Sequence, residues 1–179
     1  MRTLIRWCLL TGFLLSTASA RIAPSTLDDL IADSDEIVIA RVTELLPTSS
    51  SDRDLVYASA TVERTLKGSL KDSFLFRASP AGICDASGAV KDETAVFFLG
   101  RNSDGTFYIA GAGRGHLPLR EVDGNSYVTF TNAGLVIPDS LPTIPGPDPR
   151  YSFIVSVALK NLETMIRNHR EQRQTLAGL

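Results

Sequence analysis

Cysteine and histidine are nearly absent from this 179-residue chain, which holds two of each: Cys8 and Cys84, His116 and His169. So few and so scattered, they supply no transition-metal set at recognised spacing. No G-x-S-x-G nucleophile elbow is present either, which removes the usual serine-hydrolase signature. Neither sign of charge dominates, with 18 basic against 20 acidic residues. Nucleic-acid binders draw their affinity from Lys and Arg neutralising phosphates, so that class is excluded. There is no internal repeat.

The N-terminus carries the first positive signal. Arg2 and Arg6 form a basic start, residues 7–15 an apolar run, and Ala18-Ser19-Ala20 a small-residue cleavage site. Roughly 9 or 10 apolar residues fall short of the about 20 that a bilayer core requires. Residues 1–20 are therefore expected to be a cleaved secretory signal, with no transmembrane span afterwards and Arg21 as the first mature residue. Cys8 lies inside the apolar run, away from the cleavage point, which argues against a lipid anchor. Without Arg2 and Arg6, 16 of the 18 basic residues face 20 acidic ones, a net charge of −4. The mature chain keeps only Cys84 and forms no internal disulfide. Small secreted animal domains are commonly disulfide-rich, so this economy points to bacterial export, with a secreted or periplasmic location.

The remaining 159 residues suffice for one domain burying about 70% of its unfolded surface. Ser25-Thr26-Leu27-Asp28 offers a capping-box-like start, and Leu27, Leu30 and Ile31 share one helical face, giving a short helix that ends near Ser34. From Glu36 the texture is that of strands. Residues 37–45 are β-branched and apolar; Val56, Ala58, Ala60 and Val62 alternate with polar neighbours until Lys67-Gly68. Residues 73–78 and 94–99 follow, the latter apolar on both faces. Turn signals at 102–105, 123–124 and 133–134 then divide strands at 106–110, 117–122, 126–131 and 135–137. No crossover helix separates them, so the expectation is a mainly β fold: an antiparallel OB-like β-barrel of about seven or eight strands over residues 21–137. Five prolines in 138–149 predict an extended linker over 138–150. Val155, Ala158, Leu159, Leu162, Ile166 and His169 then lie on one stripe, predicting an amphipathic helix over 151–174 with an internal Glu163–Arg167 pair and a tail at 175–179. Docking of that stripe on the barrel is the simplest expectation, since such a helix seldom stands alone in water.

This order carries a resemblance. A strand Ile39-Ala40-Arg41-Val42 leads to a long one ending Thr65-Leu66-Lys67-Gly68, then a loop with Cys84, then Asp92-Glu93-Thr94 approaching Val96-Phe97-Phe98-Leu99. It resembles the OB-fold barrel of the tissue-inhibitor-of-metalloproteinase and netrin-like superfamily over about residues 36–137. It is more similar still to bacterial exported proteins of that shape. In those, a stretch similar to Gly111-Ala112-Gly113-Arg114-Gly115 follows the hairpin and a C-terminal helix closes the chain. The resemblance implies a barrel of the binding-module kind, and fold alone does not assign function. In the inhibitors an N-terminal cysteine, held by a disulfide, chelates the target's zinc. Here the expected N-terminus is Arg21-Ile22-Ala23 and Cys84 has no disulfide partner, so that mechanism does not transfer.

Candidate chemistry is sparse. Cys84 is a nucleophile only if His116 reaches it and Asp85 or Asp92 orients the ring; a lone thiol is more often buried or merely tolerated. Cys84 and His116 are thus kept as candidates for thiol or partner chemistry. The Gly111, Gly113, Gly115 alternation superficially suggests a phosphate loop, but a strand rather than a helix follows it, which fits a kink or close backbone approach. Asp28, Asp29, Asp33, Asp35 and Glu36 are dense enough for calcium, yet acids near a helix N-terminus also complement its dipole. No catalytic, cofactor-binding or metal residue is assigned and no cofactor is expected. The expected function is an exported, non-enzymatic protein-binding module with an envelope or secreted protein partner, acting through loops at 47–54 and 79–90. A protease inhibitor, recognised by an N-terminus packed beside the Cys84 loop, and an enzyme using Cys84 or paired carboxylates are the alternatives.

Overall fold

The computed structural model describes residues 25–47, 56–78, 88–131, 134–148 and 150–177. The expected leader, Cys84 and most of the two long loops lie outside the described residues. The described residues begin with β1 (Ser25–Thr26) and α1 (Leu27–Asp33), followed by β2 (Glu36–Pro47), β3 (Val56–Lys67), β4 (Ser73–Arg77), β5 (Thr94–Arg101) and β6 (Phe107–Ile109). It continues through β7 (His116–Val122), β8 (Asn125–Phe130), β9 (Leu135–Val136), β10 (Thr143–Pro145) and β11 (Val155–Ala158), and ends in α2 (Leu159–Ala177).

The fold is mainly β, and five strands close a barrel. Strand β2 pairs with β3, β3 with β4, β4 with β6, β6 with β5, and β5 returns to β2. A ring of five cannot alternate up and down all the way round, so one neighbouring pair must run parallel. That pair is β4–β6, joined at Phe76 and Phe107. The expected antiparallel sheet is therefore mixed, and β1 also runs parallel to β9. Inward positions alternate with outward ones along each strand. Phe74, Phe76, Phe97 and Phe107 fill the interior, with ring centroids 5.2–5.9 Å apart, and face the small side chains of Ala40, Ala58, Ala60 and Ala95. So narrow a barrel has room for large residues on one side only if the other side is small.

A second core lies outside the barrel. The apolar-on-both-faces reading of residues 94–99 holds: Ala95, Phe97 and Leu99 point inward while Val96 and Phe98 point out. Against those outward residues pack Leu27, Leu30 and Ile31 of α1 and Leu162 and Ile166 of α2. The N-terminal half of β5 also pairs with β7, so the barrel wall continues into a wing ordered β7, β8, β11, β10. This corrects the C-terminal expectation twice. Residues 155–158 form a strand on β8, α2 starts at Leu159 rather than 151, and Thr143–Pro145 of the expected linker pairs with β11. In addition, Glu163 pairs with Arg64 of β3 instead of Arg167.

Helix α1 is bound at both ends. Its cap is Thr26, one residue later than expected: Thr26 Oγ1 accepts from Asp29 N at 3.0 Å, and Asp29 Oδ2 accepts from Thr26 N at 3.0 Å. Thr26 Oγ1 also donates to Asp29 Oδ2 at 2.6 Å, and this bond, then the one from the Thr26 amide, holds the Asp29 carboxyl below its ordinary value. At the other end Lys67 Nζ donates to the carbonyls of Ile31, Ala32 and Ser34 at 2.7, 3.2 and 2.6 Å, supplying donors to orphan C-terminal groups. Lys67→Met is expected to lower stability by about 1.5–3 kcal/mol, as for bonds made by a charged group, read as a lower urea midpoint. Burial, and then repulsion from Arg173, also holds the Lys67 ammonium below 10.5. The unfolded chain keeps that proton to higher pH than the native one, so stability should rise as pH climbs through the window just below 10.5. Lys67→Met should remove that slope.

Candidate functional site

The structure places His116 at the first residue of β7, directly opposite Phe97, so that its side chain shares the barrel-facing side. Its ring stacks on Phe97 with centroids 5.1 Å apart, and only 5% of the residue is exposed. Nε2 lies 2.9 Å from Glu93 Oε2, at a charge-pair distance but off the line of a hydrogen bond. Glu93 is held by its backbone: its amide donates to Val90 O at 3.2 Å and its carbonyl accepts from Val42 N at 2.9 Å. The acid beside His116 is thus Glu93, whereas Asp92 turns away to Arg41 at 3.4 Å. Cys84 and Asp85 lie outside the described residues. In the described structure His116 covers the Phe97 ring, with Glu93 beside its Nε2.

The other expectations resolve into structure. Gly111, Ala112 and Gly113 all have positive φ, turning the chain from β6 towards β7. Gly115 passes so close to Phe98 that a β-carbon would lie 2.8 Å from Phe98 Cβ, the close approach read from the glycine spacing. The acidic cluster is divided among separate tasks. Asp29 caps α1, Asp35 Oδ2 accepts from Arg101 N at 2.9 Å, and buried Glu36 accepts from Ser69 N and Leu70 N at 2.7 and 3.0 Å. Among the described residues no group of three or more His, Cys, Asp or Glu is placed to hold a metal ion. No described helix is long and apolar enough to cross a membrane.

A cleft of about 560 Å³ lies between β3, the β7–β8 hairpin and the start of α2, with Arg64, Glu121 and Ser126 in its lining. Three of its lining side chains are held by local contacts. Arg64 meets Glu163, and Ser126 Oγ donates to Glu121 Oε1 at 2.5 Å.

Among the described residues the most exposed aromatic surface is the hairpin between β10 and β11, which sequence reasoning missed. Tyr151 and Phe153 are 46% and 51% exposed, yet their rings touch, 5.6 Å between centroids. The loop beneath them is braced. Gly146 N donates to Ile154 O at 2.9 Å, Ile154 N to Tyr151 O at 3.0 Å, and Tyr151 N to Asp148 O at 3.2 Å. Arg150 clasps Asp148 through Nε at 2.9 Å and Nη2 at 2.6 Å, which holds the Asp148 carboxyl below its ordinary range. Gly146 is required here, because a β-carbon would sit 2.3 Å from Ile154 Cγ2. A largely apolar concavity of about 460 Å³, with Ile144, Pro145 and Val155 in its lining, adjoins Tyr151. The neglected sequence signal is the run Ile154-Val155-Ser156-Val157, three of its four residues β-branched, after a Gly-Pro-Asp-Pro turn. Comparison of the chain with protein families, curated proteins and solved structures finds no match.

Proposed function

We propose that this protein is an exported, non-enzymatic binding module whose partner is an envelope or secreted protein, and that the β10–β11 hairpin is its contact surface. The leader-like residues 1–20 support export to the periplasm or the exterior. A five-strand ring closed by a short strand supports an OB-like reading of the barrel, and it is at this level that the resemblance to the inhibitor and netrin-like superfamily is proposed. The observation that carries the function is the Tyr151–Phe153 pair, two rings in contact and about half exposed on a loop locked by its own hydrogen bonds. Tyr, Phe and Arg are enriched in interface centres, and a braced loop loses little entropy when it binds. Because Arg150 and Asp148 neutralise each other, the tip presents apolar rings rather than charge, and its partner should offer an apolar pocket.

The test is affinity capture from envelope and secreted fractions, comparing the wild type with a Tyr151→Ser/Phe153→Ser variant. A partner enriched by the wild type should fall by about tenfold or more in the variant, the consequence of losing hot-spot rings worth about 2 kcal/mol together. Thermal midpoints should stay close, since both rings are already half in water. Equal capture by both proteins would sink the assignment.

A further inference from the structure

A separate surface lies on the outer wall of the barrel, built from β3, β4, β6 and the β5–β6 turn. Phe107 and Ile109 point into the barrel, so Tyr108 between them points out, 45% exposed. Its ring lies across the backbone of Gly100 on the neighbouring strand: a β-carbon at Gly100 would meet Cζ at 2.2 Å, the hydroxyl oxygen at 2.3 Å and Cε1 at 2.7 Å. Glycine at this position lets the ring lie on the wall with one face to the backbone and the other to solvent. Tyr57 and Arg77, opposite one another on β3 and β4, also point outward, because their neighbours Ala58 and Phe76 fill the interior. Together with Asn102, Asp104 and Thr106 these residues line a concavity of about 520 Å³, within the about 300–1,000 Å³ of small-ligand sites.

The polar edge of this concavity is preset. Asn102 Nδ2 donates to Thr106 Oγ1 at 3.0 Å, while Thr106 N and Oγ1 donate to Asp104 Oδ1 at 2.9 and 2.6 Å. Those bonds lower the Asp104 pKa from 3.8, so the group is an ionised acceptor at neutral pH. The lining therefore offers an aromatic face, a carboxylate and an amide beside the Arg77 guanidinium, one charge of each sign among the described residues. A phosphate-tracking groove would need an excess of cations, and neither this balance nor the net charge of −2 provides one.

We propose that this wall is a carbohydrate site for a neutral chain of gluco-configured pyranose units, with Tyr108 as the stacking platform. Such sugars carry their hydroxyls equatorially, leaving two faces of axial C–H groups that pack on an aromatic ring. Their hydroxyls then project sideways, towards Asp104 and Asn102. The site shares no residue with the β10–β11 hairpin, so the two assignments stand or fall separately.

The test is calorimetric titration of the purified protein with cellohexaose and with chitohexaose, alongside a (dT)12 oligonucleotide. The expected result is saturable binding of one hexasaccharide with Kd below about 1 mM, weakened about tenfold or more by Tyr108→Ala, largely kept by Tyr108→Phe and unchanged by Tyr151→Ser/Phe153→Ser. Binding should also perturb the near-ultraviolet tyrosine spectrum of the wild type, a readout that needs no variant to fold. The proposal is overturned if neither sugar binds, if Tyr108→Ala binds as well as the wild type, if binding leaves that spectrum unmoved, or if only the oligonucleotide binds.

Discussion

Gly68→Val is expected to lower the folding free energy by about 4 kcal/mol, and the reason is a buried carboxylate rather than the turn alone. Gly68 has a φ of +90°, and a β-carbon there would lie 1.9 Å from Glu36 Oε2 and 3.0 Å from Asp35 O. A branched residue at positive φ costs about 1–2 kcal/mol by itself. The larger share comes from Glu36, which is 5% exposed and holds the β3–β4 turn by accepting from Ser69 N and Leu70 N. Displacing its carboxylate leaves the two amides without their acceptor, and bonds to charged groups contribute about 1.5–3 kcal/mol. The nearby Arg101 guanidinium, 3.6 Å from Glu36 Oε1, is half exposed and cannot rescue it. Thermal unfolding should show a midpoint about 10 °C lower, at about 2–4 °C per kcal/mol for a chain of this length. Gly105→Val is the control, since that glycine also has positive φ but nothing within 4 Å of a β-carbon. Equal losses in the two variants would show that backbone strain alone acts at Gly68.

The strands were legible because each reports on its own two faces. Val56 to Val62 alternate in the sequence, and Ala58 and Ala60 are buried on the inner face as that pattern requires. The run Ala95 to Leu99 has no polar face because β5 serves as a wall between two cores. What single-strand periodicity does not encode is the partner across a turn of the barrel. The parallel pairing of β4 with β6 follows from closing an odd ring, and no residue in Phe76 or Phe107 announces it. The C-terminal region misled for a different reason. Val155 and Ala158 extend the stripe of Leu159, Leu162 and Ile166 at helical spacing, yet residues 155–158 include the β-branched Val155 and Val157 and pair with β8, and sheet contacts decided the matter. Five prolines in 138–149 disguised a strand because β10 is three residues long and lies at the sheet edge, where a missing amide hydrogen is tolerated. Likewise Asp92 and Glu93 are adjacent acids with opposite directions in space, so composition could not say which one meets His116.

Leu162→Asp is expected to be as damaging as the loss of Glu36, and the result bears on what α2 is for. Leu162 is fully buried between α1 and the outward face of the barrel wall, in a cluster with Leu30, Ile31 and Ile39. Removing it forfeits about 1.5–3 kcal/mol of apolar burial, and the new carboxylate must either enter that cluster unpaired or pull the helix into water. The second route also exposes Ile166 and the helix α1 face, so the cost should reach about 4 kcal/mol, a large part of a typical total of about 5–15. Arg64 with Glu163, and Arg170 donating to Leu66 O at 3.0 Å, tie the same helix to β3. Unfolding should therefore remain a single transition at a lower denaturant midpoint, because outer core and barrel share β2 and β5. Leu176→Asp, at a residue 73% exposed, should move that midpoint by no more than about 0.5 kcal/mol. A Leu162→Asp protein that melts like the wild type, or that loses α2 in a separate early step, would show that the helix is not part of the folded unit and would return its apolar stripe to service as a surface for a partner.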